Sequence, residues 1–527
     1  ALYVGIPYAP ISPAYALSGS DFSRLKHILG LLAPGLVFAD DAENFRAAID
    51  AAVPSSVGVV ADAPMKRRET LAFADLLETT PTSRVDAAHA AINGDTIAKI
   101  LFTSGSLAAP KAVVTTHRML CANQTMLAHV LRFLAEEPPV FIDWLPWHHS
   151  FGGNHNFGMA LQHGGTLYID KGRPTAALIG ETIAALREIS PTVFFNVPQG
   201  FEILLPHLAR DKNLAANFFR NLKLNFFAGA SLNARVKNDL DALAIATCGE
   251  RIRLISGFGA TETAPSVLFR IDDDLGDAAL PFVGLPLPGN ALKLVPVGDK
   301  YEACVKGPNV TPGYWRDDAL TRQAFDNEGY YRLGDSLRLA PDQTRGFLFE
   351  GRLGEDFKLA SGTTVNGGPL RSRMLEEGGP FIKDVAIAGD NRDCLMALIF
   401  PDLGACRSLA ADLSAAAPDT LLAHPRVQAE FRAILARLAA QAHGGAEYIS
   451  RAALLVDAAG ADELTDKGTL NRKAVLNRRA ELVAALYRWA DDPLFLSAEA
   501  PPMQRSVHLG AEKPSHPSPA LGKEMPS

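Results

Sequence analysis

Two textures alternate along the first half of the chain. Short runs dense in Val, Ile, Leu and Phe are separated by stretches in which apolar positions recur every three or four residues. The runs predict strands near 97–102, 140–145, 165–169, 192–197, 224–229 and 251–256, with helices between most of them. Met119, Leu120, Met126, Leu127, Val130, Leu131 and Leu134 fall on one face of such a helix, and Thr116 stands where its N-cap is expected. Apolar strands alternating with helices imply a mostly parallel sheet covered on both faces. Ligands bind such a sheet at the carboxyl ends of its strands.

From about 280 to 350 the pattern changes to short strands punctuated by Gly, Pro and Asp, which predicts a small antiparallel β-unit. Beyond Gly351 a third pattern begins, with a hairpin expected over 384–403 and helices over 426–442 and 471–488. The expected fold is α/β. A large domain over 1–351 holds mostly parallel sheets plus the β-unit, and a smaller, mobile α+β domain follows over 352–490. The stretch 491–527 ends in a Pro- and Ser-rich tail whose composition predicts disorder.

Composition narrows the function. The 527 residues are enough for roughly two to four domains. A net charge of −7 argues against a nucleic-acid-binding surface, which needs a basic footprint. The five cysteines form no CxxC pair, so neither a zinc site nor a disulfide framework is suggested, and a reducing cytoplasm fits. No apolar run is long enough to span a membrane. The opening "ALYVGIPYAPISPAY" has neither the basic start nor the apolar core of a signal peptide, and it reads as the interior of a domain, so a preceding segment is expected. Monomer and homodimer are both compatible with the sequence.

The candidate chemistry starts at "LFTSGSLAAPKAVVTTH" (101–117), read as a strand end, a small-residue loop and the start of a helix. Its hydroxyls, backbone N–H groups and Lys111 suit a phosphate, although the Walker A pattern is absent. Alone it is an ordinary polar turn. A second Gly/Thr loop, "GFGATETAPS" (257–266), follows another strand and carries the carboxylate of Glu262. "YYRLGDSLRLA" places Asp335 in a Gly turn, and "ELTDKGTLNRKAVL" places Lys467 in a loop before a helix.

These segments, with "LPWHHSFGGNHNFG", "FFAGASL", "VKGPNVTPGYW" and "GRLGEDFKL", occur in the order that resembles the adenylate-forming acyl-CoA synthetase superfamily, and within it the feruloyl-CoA synthetases. The resemblance spans most of residues 1–480. It implies an ATP-dependent acid–thiol ligase that uses Mg2+, forms an acyl-adenylate from a small carboxylic acid, and passes the acyl group to coenzyme A.

The resemblance also implies roles. Thr103, Ser104, Gly105, Ser106 and Lys111 match the loop that wraps the β- and γ-phosphates. Leu107, Ala108 and Ala112 depart from it, which predicts a weaker clamp. Thr261 matches the α-phosphate contact and Glu262 the magnesium ligand, an oxygen donor suited to a hard cation. Asp335 matches the acceptor for both ribose hydroxyls, and Arg352 the residue that opens the hinge and reaches the ribose. Gly229, Ala230 and Gly259 line the nucleotide site; His149, Phe195, Gly229 and Gly257 line the acyl pocket. Gly354 stands at the usual charged hinge position, and Gly362 lies in the loop that approaches coenzyme A. Lys467 matches the adenylation lysine, with Lys473 as the alternative register. His148 and His155 read as packed histidines rather than metal ligands. A medium- or long-chain fatty acyl-CoA synthetase is the alternative within the class. A nucleotide-binding homologue without turnover is the alternative outside it.

Overall fold

The computed structural model describes residues 1–498 except 18–20, 64, 66–67, 104–109, 176, 230–231, 233, 271–281, 410–411, 413–414, 461–462 and 465–469. The chain divides into two compact units. The first comprises Ala1–Phe357, Asn366–Pro369 and Ala459–Arg479; the second comprises Lys358–Val365, Leu370–Ala458 and Ala480–Ser527.

The first unit is built around a nine-stranded sheet. At one end Val193–Asn196, Leu224–Phe227 and Arg253–Gly259 run parallel in register. Their side chains alternate between two apolar layers. Phe194, Phe227 and Leu254 pack with residues of the helices Ile179–Glu188, Pro198–Arg210, Lys212–Phe219 and Ala234–Cys248. Phe195, Phe226 and Ile255 face the other way, toward Met126 and Leu127 of the helix His117–Val130. This two-sided burial is what continuous apolar strands need.

At Arg253–Gly259 the sheet changes sense. Ser266–Arg270 returns antiparallel to it, and the expected β-unit continues the same sheet through Phe282–Pro286, Phe347–Arg352, Tyr331–Leu339, Lys300–Lys306 and Ala291–Val297. Val140–Asp143 and Thr166–Ile169 form a separate parallel pair. Leu36–Asp41, Gly58–Ala63 and Leu71–Ala72 form a parallel sheet of their own.

The stretch after Thr103 differs from expectation. Lys111–Thr116 is a strand, antiparallel to Ile97–Thr103, with Lys111 opposite Thr103. The helix starts at His117, after the expected cap: the Thr116 hydroxyl accepts from the Met119 N–H at 3.3 Å. Residues 104–109, outside the described residues, come between these two strands in the chain. "AVVTT" is rich in β-branched residues, which favour the strand.

The second unit has a four-stranded sheet in the order Ile382–Ala388, Leu395–Pro401, Ile449–Leu454 and Phe495–Ser497. The first two strands are the expected antiparallel hairpin. The helix Pro425–Gln441 buries Val427, Phe431, Ile434, Leu435 and Leu438 at helical spacing. The helix expected over 471–488 is two, Arg472–Arg478 and Ala480–Tyr487.

Candidate active site

The site is built at the carboxyl end of Arg253–Gly259, where parallel and antiparallel strands meet. This strand runs three residues further than its apolar run suggested, so Gly257 and Gly259 are strand residues and the loop is 260–265. Gly259 is required by close approach, since a Cβ there would stand 1.9 Å from the Pro265 carbonyl oxygen. A Cβ on Gly257 would lie 2.9 Å from the rings of both Phe226 and Phe269.

Thr261–Thr263 is a single tight turn closed by the Thr263 hydroxyl, which accepts from the Ala260 N–H at 2.9 Å. Thr261 is half-buried at its start. Glu262 points inward and is only 8% exposed. Its Oε1 accepts a hydrogen bond from the Tyr314 hydroxyl at 2.9 Å, and the Tyr314 and Tyr331 hydroxyls lie 3.1 Å apart. Burial, and after it the Glu262 charge, hold both phenols well above their usual range, so both are protonated at neutral pH. Tyr314 spends its one proton on the carboxylate, with the Tyr331 hydroxyl beside it.

The segment around Tyr314 also holds the base of the hairpin loop. The Val114 N–H donates to the Gly313 carbonyl at 3.1 Å, and the Trp315 N–H donates to the Ala112 carbonyl at 2.8 Å. The Lys111 amine consequently lies 5.6 Å from the centre of the Tyr314 ring. On its other flank, the Thr311 N–H donates to the Glu262 carbonyl at 2.8 Å and the Asn309 amide donates to the Thr263 carbonyl at 2.8 Å. Lys111 and Glu262 are thus brought around one tyrosine. Sequence reasoning had included "TPGYW" in the resemblance without singling out Tyr314.

Asp335 lies within the strand Tyr331–Leu339 rather than in a tight turn, although Gly334 before it has a φ of +71°. It is buried and faces Arg352, whose Nε is 3.5 Å from Oδ1. Arg352 ends the neighbouring strand and is largely exposed. Glu262, Tyr314, Lys111, Asp335 and Arg352 all belong to the first unit.

Other expected residues lie elsewhere or outside the described residues. Thr103 ends its strand, but Ser104, Gly105 and Ser106 lie outside the described residues, as do Ala230 and Lys467. The segment Ala459–Arg479 groups with the first unit. Lys473 stands in the first turn of Arg472–Arg478. Gly229 follows its strand at a φ of +91° with open space around it, and Gly362 has a φ of +83°. Gly354 sits in a short turn with nothing crowding it.

Phe195 is a core residue: its ring is 1% exposed and packs edge-on against Phe141, Phe151, His155 and Phe226. A strand buried on both faces reads in sequence just like a pocket wall. His155 is fully buried and stacks on Phe226 at 5.1 Å, and burial pushes its pKa down to about 4. His148, whose pKa burial also lowers to about 4, packs beside the half-buried His149 with ring centres 4.5 Å apart.

Among the described residues no three His, Cys, Asp or Glu side chains gather as a metal cluster. A single buried carboxylate still fits magnesium, which keeps several waters and takes one or two carboxylates plus phosphate oxygens. No helix among the described residues is long and apolar enough to cross a membrane.

Comparison with known proteins agrees with this arrangement. The AMP-binding enzyme profile matches residues 1–315, and the profile of the AMP-binding enzyme C-terminal domain matches residues 356–491. The chain is 27% identical to the medium-chain fatty-acid–CoA ligase of Escherichia coli (strain K12), over 56% of this chain and 49% of that protein. It is 26% identical to the L-proline–[L-prolyl-carrier protein] ligase of Pseudomonas fluorescens, over 73% of this chain and 72% of that protein. The chain spans about half the length of several curated relatives, the E. coli ligase among them. Among solved structures, the anthranilate CoA ligase AuaEII with anthranoyl-AMP superposes with a TM-score of 0.67 at 18% identity, over 88% of this chain and 81% of that one. ATP-bound MatB from Rhodopseudomonas palustris superposes with a TM-score of 0.63 at 21% identity, over 90% and 84%. These two share the fold. With its family profile covering well over half of the sequence, this chain belongs to the AMP-binding enzymes.

Proposed function

We propose that this chain activates a small carboxylic acid with ATP and transfers the acyl group to coenzyme A, with a hydroxycinnamate such as ferulate as the acid. The observation that carries the reading is the grouping of a buried carboxylate, Glu262, and a lysine, Lys111, around Tyr314 at the strand ends. In the first step a carboxylate oxygen attacks the α-phosphorus, the bond to the β-phosphate oxygen breaks, and pyrophosphate leaves. In the second, the coenzyme A thiol gives up its proton, its sulfur attacks the acyl carbon, and AMP leaves. Both steps depend on positioning and on charge stabilisation.

Lys111 would meet the outer phosphates and Thr261 the α-phosphate. Asp335 would accept from the ribose diol, with Arg352 beside it. Glu262 would hold magnesium, which supplies positive charge to the phosphate oxygens when bound. Lys467 would neutralise charge at the α-phosphate, and the smaller unit would turn about 352–356 between the two steps.

Packing supports this acid class. Gly257 and Gly229 leave backbone against which a flat ring can lie, whereas the space beneath Gly257 is filled by Phe226 and Phe269, and behind them by His155 and Phe195. A long alkyl chain needs an open slot there.

The test is pyrophosphate release from ATP and magnesium with a panel of ferulate, coumarate, benzoate and a fatty acid. Fastest release with ferulate or coumarate is expected. Release with the fatty acid alone would transfer the reading to a fatty acyl-CoA synthetase. Silence with every acid, beside retained ATP binding, would leave a nucleotide-binding homologue.

A further inference from the structure

We propose that Tyr314 is a positioning residue that sets the metal-facing geometry of Glu262 with its hydroxyl and seats Lys111 with its ring. The inference rests on the reading of Glu262 as the magnesium ligand.

Three observations carry it. The hydroxyls cluster on the carboxylate: Tyr314 donates to Glu262 Oε1 at 2.9 Å, and the Tyr331 hydroxyl lies 3.1 Å from that of Tyr314. Both tyrosines are 6% exposed and Glu262 is 8% exposed, so little water competes for these bonds. The phenol bonded to Oε1 limits how freely the carboxylate can turn toward a cation. An outer partner that orients a ligating carboxylate in this way changes metal affinity by about 10- to 100-fold when removed.

The second observation is the backbone around the tyrosine. Residues 309–315 are bonded on one side to the turn that carries Glu262 and on the other to the strand that starts with Lys111. The Thr311 hydroxyl adds a bond to the Val114 carbonyl at 2.6 Å, so the segment has little freedom to shift. The third is the placement of the Lys111 amine 5.6 Å from the Tyr314 ring centre, within the range of a cation–π contact. A ring and a hydroxyl therefore do separable work on two charges of opposite sign.

The separation gives the test. Calorimetric titration measures ATP affinity with excess magnesium and again with EDTA, on wild type, Tyr314→Phe, Tyr314→Leu and Glu262→Gln. Thermal unfolding of each variant monitors folding. Tyr314→Phe keeps the ring. It is expected to lose about tenfold of the magnesium-dependent gain in affinity, with the EDTA affinity close to wild type and a melting temperature lowered by the lost bond to a buried carboxylate. Tyr314→Leu is expected to lose that gain and also to weaken ATP in EDTA, because Lys111 loses its seat. If Tyr314→Phe does not fold, Tyr331→Phe takes its place, with a smaller shift in the same direction. An unchanged magnesium increment in Tyr314→Phe, beside a reduced one in Glu262→Gln, would overturn the positioning role alone. An unchanged increment in Glu262→Gln, or none in wild type, would overturn the metal reading of Glu262 and this inference with it.

Discussion

Lys99 offers a quantitative test of the folded core of the larger unit. It lies in the middle of Ile97–Thr103 and is 2% exposed, with its amine donating to the Gly153 carbonyl at 2.9 Å and standing 5.4 Å from the Tyr8 ring centre. No carboxylate is paired with it among the described residues. Burial lowers its pKa from 10.5 to about 8. A lysine with a depressed folded pKa binds its proton more weakly in the native than in the unfolded state. Stability therefore rises with pH between about 8 and 10.5, the window in which the unfolded chain still holds the proton. Linkage from these two values gives a burial penalty of about 3 kcal/mol at pH 7, falling to about 1 kcal/mol at pH 10. Lys99→Met keeps most of the side-chain volume and has nothing to titrate. Urea unfolding of wild type and Lys99→Met at pH 7 and pH 10, followed on the transition of the larger unit, is the assay. The stability difference between the two proteins should move by about 2 kcal/mol in favour of wild type as pH rises. Other alkaline titrations occur in both proteins and cancel in the difference. Parallel pH profiles would refute the assignment of a desolvated, titrating Lys99. The absolute difference at pH 7 decides less, because the variant also strips the Gly153 carbonyl of its donor.

Three further outcomes are expected. Glu463 is fully buried and binds Arg479 through both carboxylate oxygens at 2.7 and 3.0 Å, which ties together two parts of the segment Ala459–Arg479. Glu463→Gln should strand the Arg479 charge, destabilise this segment by about 3 kcal/mol, and raise its susceptibility to limited proteolysis; an unchanged cleavage pattern would remove the clamp. Lys467→Ala should abolish pyrophosphate release while sparing thioester formation from preformed acyl-adenylate. The same split in Lys473→Ala, with Lys467→Ala normal, would move the assignment by six residues. Gly257→Ala drives a methyl to 2.9 Å from two phenylalanine rings and should cost about 1–3 kcal/mol in stability, read as a lowered melting temperature; an unshifted melting curve would mean the rings yield freely.

Most strands and the helix from His117 were legible because their patterns are local. The continuous apolar runs along 193–196 and 224–227, buried on both faces, are written in the residues themselves, and the Thr116 cap depends on a partner three positions away. The strand over Lys111–Thr116 was legible too, in its β-branched residues, but the stretch up to the Thr116 cap reads as one loop when its small residues at 103–109 are taken as the guide. What escaped was non-local. Tyr314 reaches Glu262 across 52 residues of chain, and Lys99 reaches Gly153 across 54. Nothing in "TPGYW" or "IAKILF" marks a side chain for such a partner. Phe195 was ambiguous for a different reason, since a ring against substrate and a ring against other rings leave the same trace in sequence.

The change of strand sense explains why these residues meet. A parallel sheet needs a long crossover between neighbouring strands, whereas an antiparallel return needs only a short turn. Arg253–Gly259 is parallel to the strand before it and antiparallel to the strand after it, so its carboxyl end is closed by the short loop 260–265 that carries Glu262. A crossover helix there would bury the loop; a short turn leaves it open to the strands that come next. Those strands follow within the same sheet, and Tyr331–Leu339 brings both Tyr331, bonded to Tyr314, and the buried Asp335. The β-unit is therefore part of the site and not an appendage to it: two of the acidic and phenolic groups that the nucleotide reading depends on arrive on its strands. A substitution that loosens the pairing of Tyr331–Leu339 with Phe347–Arg352 should accordingly weaken ATP binding before it unfolds the parallel strands, because Asp335 and Arg352 are opposed in that ladder.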